Sequence, residues 1–204
     1  MNPRAAEGSL RGIYLEADRD VRVRHARVGC ILALILMPAG VSLDYFVYPS
    51  RMGELLVIRL LCDAGVGVIY GLLFTAWGRR QVRFLGIAWA LLPGFSMSWM
   101  IAAPEGLASP YYAGLNLVMI AVCLLMPWTL GEVLATSGVT LLMYTSACLI
   151  HGPIRAGFPT LYSHVYFIVL TAVLCATASY FTSRRRFEEF RLRYELDRSR
   201  SELE

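Results

Sequence analysis

The sequence predicts an all-α membrane protein: a six-transmembrane-helix bundle with a cytoplasmic, coiled-coil-like C-terminal helix. Three observations lead there. The middle of the chain is a succession of six apolar runs, and 57% of all residues are hydrophobic against 17% charged. The charges are gathered into the two ends, residues 1–27 and 182–204. The arginines between the runs are concentrated in one loop, 78–83, which carries three of them. A lipid-embedded body with polar ends has this layout, whereas a soluble domain spreads its charge over its surface.

The predicted spans are residues 28–48, 55–77, 84–103, 111–128, 133–150 and 165–181. Each runs to about 17–23 residues, enough at 1.5 Å per residue for a hydrocarbon core of ~30 Å. They must be helical, because backbone groups in lipid find partners only within the segment. Aromatic residues mark many ends, among them Tyr45, Tyr48, Trp77, Trp99, Tyr111, Tyr112, Trp128, Tyr162 and Phe181, as expected at the headgroup level. Three parts follow: an N-terminal cytoplasmic segment (1–27), the bundle (28–181) and a cytoplasmic signalling helix (182–204). Residues 1–12 are expected to lack fixed structure, and 13–27 to form a short charged helix.

Arginine placement sets the orientation. The first 27 residues carry six Arg, residues 78–83 carry three, and the tail opens on Arg184, Arg185 and Arg186. The alternate loops hold only Arg51 and Arg155. The arginine-rich side is the cytoplasm by the positive-inside rule, and six spans place both termini there. No cleavable signal peptide is expected, since the first apolar run begins only near Val28. All 19 basic residues are Arg, and the net charge of +4 comes from these flanks. With no recognition motif beside the charge, a nucleic-acid partner is excluded. The five cysteines lie in apolar segments without a CxxC and read as small buried hydrophobes.

Polar residues inside the spans are the most informative feature. Asp44, Arg59, Asp63 and Asn116 come from three different spans and fall in one layer of the outer leaflet. Charges at that depth cost several kcal/mol unless paired or hydrated, so Arg59 is expected to pair with Asp63, with Asp44, or with both. The set is either an ion pair fixing helix register or the polar wall of a ligand site. The candidate ligand-binding residues are Asp44, Arg59, Asp63, Asn116 and Tyr112. On the same face of span 2, Gly67 and Gly71 form a GxxxG, which lets helix backbones approach closely. Pro38, Pro93 and Pro127 are expected to kink or end spans 1, 3 and 4. His151 and His164 flank the one long outer loop, but without a carboxylate or thiolate nearby they make a weak ligand set, so no metal and no cofactor are expected. No protease, lipid-phosphotransferase or P-loop motif is present, and no catalytic residue is assigned.

The tail is the second informative feature. Neither Gly nor Pro follows Pro159, so span 6 can run directly into it. Arg184–Glu188, Arg185–Glu189, Glu189–Arg193, Arg191–Glu195 and Arg193–Asp197 are opposite charges at i,i+4. Phe187, Phe190 and Tyr194 have 3/4 spacing, and Leu196 and Leu203 lie seven apart, as at the start of a parallel coiled coil. A rigid helix continuous with a span can carry motion out of the membrane.

The segment Ser109-Pro110-Tyr111-Tyr112-Ala113-Gly114-Leu115-Asn116-Leu117-Val118-Met119, together with the Arg/Glu helix ending Arg198-Ser199-Arg200-Ser201-Glu202-Leu203-Glu204, resembles the six-span input region of bacterial sensor histidine kinases and related membrane nucleotide cyclases. The resemblance implies a homodimer in the cytoplasmic membrane of a bacterium, a sensory role, and an output domain after Glu204. The phosphoacceptor His motif and the ATP-binding domain are absent from these residues, so kinase activity is not assigned to them. The expected function is a sensory input module that detects a small or lipid-soluble signal. The alternative is a small transporter or channel with an intramembrane Asp/Arg site.

Overall fold

A computed structural model of the chain describes residues 3–103, 106–151 and 157–203. Among them every element is helical: α1 (Pro3–Ala39), α2 (Val41–Val47), α3 (Met52–Leu72), α4 (Ala76–Arg80), α5 (Val82–Ala102), α6 (Tyr111–Leu125), α7 (Leu130–His151) and α8 (Phe158–Leu203), with 3-10 turns at Pro49–Arg51 and Gly106–Ala108. Five of the helices are long and apolar enough to cross a membrane; α6 is apolar but shorter, at 15 residues.

Local chemistry explains the breaks. Pro38 lies in the last turn of α1, which ends at Ala39. Gly40 N–H turns back to the carbonyls of Leu36 and Met37 at 3.1 and 3.2 Å, and the chain restarts as α2. Span 1 is therefore two helices, not one. Pro127 follows the end of α6, and the residue before it, Met126, takes an extended ψ of 133°, as the ring of a following proline requires. Pro93 differs: α5 runs through it without a break. The second predicted span also ends early. α3 stops at Leu72, and Thr75 caps α4 by accepting from Gly78 N–H at 3.0 Å. Gly78 is necessary there, because a β-carbon would collide with the Leu72 carbonyl oxygen. α7 opens on a reciprocal cap. Glu132 accepts from Thr129 N–H at 2.8 Å, while Thr129 Oγ1 faces Glu132 N–H at 3.4 Å, which is the capping-box arrangement.

Two segments are more regular than the sequence reading expected. Helix α1 starts at Pro3, so the region read as unstructured and the charged segment after it form one helix with the first apolar run. Helix α8 starts at Phe158, so the last loop is shorter than the 151–164 expected and His164 belongs to the helix.

The helices α1, α3, α5, α6, α7 and α8 form the bundle, with α5 central: it packs against α1, α3, α6 and α7. Two buried clusters fill it. One gathers Ala26, Cys30, Val66, Leu73, Trp89, Trp128 and Cys175 toward the end that carries the chain's terminal segments. The other gathers Tyr48, Leu55, Met100, Ile101, Tyr111, Tyr144 and Ile168 at the opposite end. The outer surface is apolar: Phe46 and Ile150 are 81% and 80% exposed, and Leu61, Leu124 and Leu142 are exposed with them. A continuous apolar exterior on long helices is the signature of a lipid-facing bundle rather than of a water-soluble one.

Candidate functional site

The buried charges meet where α1, α2, α3 and α6 come together. Arg59 on α3 donates to both carboxylate oxygens of Asp44 on α2, Nε to Oδ2 and Nη2 to Oδ1, each at 2.7 Å. Its third nitrogen, Nη1, donates to the Met37 carbonyl at 3.1 Å. Tyr111 OH, at the start of α6, donates to Asp44 Oδ1 at 2.5 Å. Asp44 is 0% exposed, Arg59 1% and Tyr111 2%. A planar guanidinium fork matches a carboxylate edge to edge, and hydrogen bonds on the remaining lone pairs make such a pair tolerable in a low-dielectric interior.

The break in α1 builds this site. Met37 lies in the last turn, where the i+4 ladder has ended; its carbonyl accepts from Gly40 N–H at 3.2 Å and keeps a lone pair for Arg59. Gly40 lets the guanidinium lie against the backbone: a β-carbon there would overlap Arg59 Nη1 and come within 2.7 Å of Cζ. Tyr48 packs on Tyr111 with ring centroids 5.7 Å apart.

Only part of the expected layer assembles. Arg59 pairs with Asp44 and not with Asp63, and Asp63 Oδ1 has no hydrogen-bond partner among the described residues. The reason is directional. Helical side chains tilt toward the N-terminus of their own helix, so Arg59 reaches back toward Met37 and Asp44, away from Asp63 one turn later. Asn116 does not reach the ion pair either; its Nδ2 donates to the Tyr112 carbonyl of its own helix at 3.3 Å.

Tyr112 instead belongs to a second cluster. Its ring stacks on His164 of α8, centroids 3.6 Å apart and planes 14° apart. His164 Nδ1 lies 2.7 Å from Tyr144 OH on α7. His164 and Tyr144 are both buried. Adjacent tyrosines at the start of α6 thus serve two sites, Tyr111 the ion pair and Tyr112 the histidine that ties α6, α7 and α8. Tyr111, Tyr144 and Gly40 were missed by the sequence reading, which took the tyrosines as interface markers or apolar residues.

At Gly67 and Gly71 a β-carbon would meet nothing within 4 Å, so among the described residues this face makes no close helix contact within one copy of the chain. The buried stripe of α3 is Leu55, Arg59, Cys62, Val66 and Ile69, and the two glycines sit beside it on the outer side. The close approach to α5 is made by Gly65, whose β-carbon would come 3.1 Å from Leu92.

A third polar cluster lies at the end of the terminal segments. Arg22 on α1 donates from Nε to Asp18 at 2.6 Å and from Nη1 to Glu132 at 2.9 and 3.0 Å. Arg27 donates to the Leu73 carbonyl at 2.9 Å and lies 3.9 Å over the Phe74 ring. Ser179 and Ser183 of α8 both donate to the Trp128 carbonyl, at 2.6 and 3.1 Å. Arg186, further along α8, approaches Asp18 at 3.8 Å.

Between α1, α5 and α6 lies an apolar cleft of about 310 Å³, lined by Gly29, Leu36, Met37, Trp89, Met97 and Gly114 among others. Trp89 is 2% exposed and its indole N–H has no acceptor among the described residues. Met37 contributes its side chain to the cleft and its carbonyl to Arg59, so the cleft and the ion pair share a residue. Among the described residues no set of three His, Cys, Asp or Glu side chains is placed to hold a metal ion. The five cysteines are free.

In the tail, Arg184 pairs with Glu188 at 3.2 Å, with both side chains more than half exposed, and such a pair contributes little. Phe187 and Leu196 are exposed, and Phe190 is half-buried. The side chains of Tyr194 and Leu203 lie outside those described.

The fold and these sites define an all-helical membrane protein whose last bundle helix continues into a long charged extension. Residues 42–197, more than half of the chain, match the family model MASE8. The chain belongs to MASE8, a family of membrane-associated sensor domains. No curated protein and no solved structure matches it.

Proposed function

We propose that this chain is the membrane input module of a signalling protein, detecting a small or lipid-soluble signal and passing it through a dimeric α8 to a cytoplasmic output domain of the histidine kinase type. The observation that carries this reading is α8 itself. It is one helix of 46 residues from Phe158 to Leu203, roughly 70 Å long at 1.5 Å per residue, more than twice what a hydrocarbon core of ~30 Å needs. Its first turns hold His164 in the aromatic cluster, and its far half is the charged extension. A displacement at one end is therefore delivered at the other without an intervening hinge.

In this reading the chain crosses the membrane six times, with both termini in the cytoplasm. Contacts between its ends support an even number of passes: Asp18 of α1 approaches Arg186 of α8, and Arg22 reaches Glu132 at the start of α7. The short α6 then counts as a crossing, supplemented by Met126, Pro127 and Trp128. The apolar cleft beside Met37 suits a lipid-soluble signal better than the ion pair does, because Asp44 and Arg59 are already satisfied by each other. A ligand pressing on Met37 bears on the break in α1 and, through one hydrogen bond, on Arg59.

Single cysteines placed at Phe187, Phe190, Tyr194, Leu196 and Leu203 in a variant lacking the native thiols test the proposal. Crosslinking between copies in native membranes, recurring with 3/4 spacing, is expected. A uniform absence of crosslinks, with a monomeric chain in lipid, overturns it.

A further inference from the structure

A small pocket of about 150 Å³ sits where α8 leaves the bundle, lined by His25 of α1, Cys123 and Leu125 of α6, Met126 and Trp128 after α6, and Ser179, Thr182 and Arg186 of α8. Its lining is of two kinds: apolar side chains, and a guanidinium, an imidazole and hydroxyls.

Arg186 is the unusual member. Its Nε and Nη1 are shielded from solvent and have no hydrogen-bond acceptor among the described residues. The carboxylate beside it, Asp18, does not serve: Oδ1 stands 3.8 Å from Nη1, beyond hydrogen-bond length, while Oδ2 is engaged by Arg22 at 2.6 Å. Arg22 also takes Glu132, so both carboxylates of this cluster are committed to it. Shielded guanidinium nitrogens without acceptors are costly and have strong geometric demand for an oxyanion. His25 also lines the pocket: its Nδ1 donates to the Val21 carbonyl at 2.8 Å, so its Nε2 donates to an oxyanion only when the ring is protonated, and Arg186 carries the demand.

From these features we infer that the pocket binds a phosphate ester, and that its occupant is the headgroup of an anionic phospholipid. The argument for a lipid over a soluble phosphate is the apolar lining: a free phosphate gains nothing from Met126 and Leu125, whereas a lipid lays its first methylenes there. Trp128, buried in the pocket wall, is the residue type found at headgroup depth. The bound phosphate would join α8 to α1 and to the connection between α6 and α7 at the point where the extension begins, so lipid charge would set how firmly that extension is held. This binding site stands whether or not the chain is a receptor.

The test is native mass spectrometry of the full chain released from micelles containing phosphatidylglycerol or phosphatidylcholine. Wild type is expected to retain phosphatidylglycerol in preference. Arg186→Gln is expected to lower that retention on the order of tenfold, the loss of one charge-assisted contact. Arg186→Lys, which keeps the charge, is expected to retain more than Arg186→Gln. Arg184→Gln, an equal charge change on an exposed side chain of the same helix, is expected to leave retention unchanged. Equal retention of the two lipids, or equal losses in Arg184→Gln and Arg186→Gln, overturns the site. Displacement of phosphatidylglycerol by millimolar inorganic phosphate overturns the lipid as occupant in favour of a soluble phosphate.

Discussion

Arg59 and Asp44 stand 15 residues apart in sequence and face each other through two hydrogen bonds of 2.7 Å, both side chains sealed from solvent. The pair locks α3 to α2, and through Met37 it locks both to the broken end of α1. Removing one partner strands the other charge in an apolar interior. Asp44→Ala or Arg59→Ala is expected to destabilise the bundle by about 3–5 kcal/mol, and the double replacement Asp44→Leu with Arg59→Met by much less than the two single losses together. Reversible unfolding in mixed micelles, run as a double-mutant cycle, measures this. Additive losses would show that the residues act separately.

Tyr111→Phe removes one hydrogen bond to the same carboxylate and leaves the ring packed on Tyr48. The expected cost is about 1.5–3 kcal/mol in the same unfolding measurement, the range for a hydrogen bond to a charged group. Tyr112→Phe, one residue on, has no hydroxyl contact with Asp44 and is expected to leave this term unchanged.

Gly40→Val tests close approach rather than charge. The added side chain would occupy the space of the Arg59 guanidinium. Overpacking of this kind costs roughly 1–3 kcal/mol, and the cost should shrink in an Arg59→Met background, where the guanidinium is absent. An equal cost in both backgrounds would locate the strain elsewhere.

Asp63 separates the two functional readings. Its Oδ1 has no partner among the described residues, so Asp63→Asn is expected to change stability by no more than about 0.5 kcal/mol, or to raise it. A transporter using this carboxylate would lose substrate flux in proteoliposomes on the same replacement. Unchanged flux, or none in the wild type, favours the sensory reading.

At the other end of the bundle, Glu132→Ala removes the cap of α7 and the partner of Arg22 together. A lost cap costs about 1 kcal/mol, and the uncompensated Arg22 adds to it. Glu132→Gln keeps an acceptor for Thr129 N–H but not the charge, and is expected to fall between wild type and Glu132→Ala. Hydrogen exchange over residues 129–136 reads the fraying directly.

Much of this architecture was legible in the sequence because its causes are local. Apolar runs of spanning length must be helices in lipid, Pro127 must end α6, and the absence of Gly and Pro after Pro159 leaves α8 nothing to break on. Those features depend on a residue and its near neighbours along the chain. The polar layer was legible only as a set of candidates. Sequence depth put Asp44, Arg59, Asp63 and Asn116 at one level, but which of them touch depends on the direction each side chain leaves its helix and on which helices are adjacent. The tertiary structure chose Asp44 for Arg59 because an arginine reaches toward the N-terminus of its own helix and α1 breaks opposite it at Gly40. It added Tyr111, turned Tyr112 to His164, and left Gly67 and Gly71 on the outer face, since the buried stripe of α3 passes one residue to the side. Hydrophobic length is a property of a segment and can be read along it; the partner of a buried charge is a property of four converging helices and exists only once they have packed.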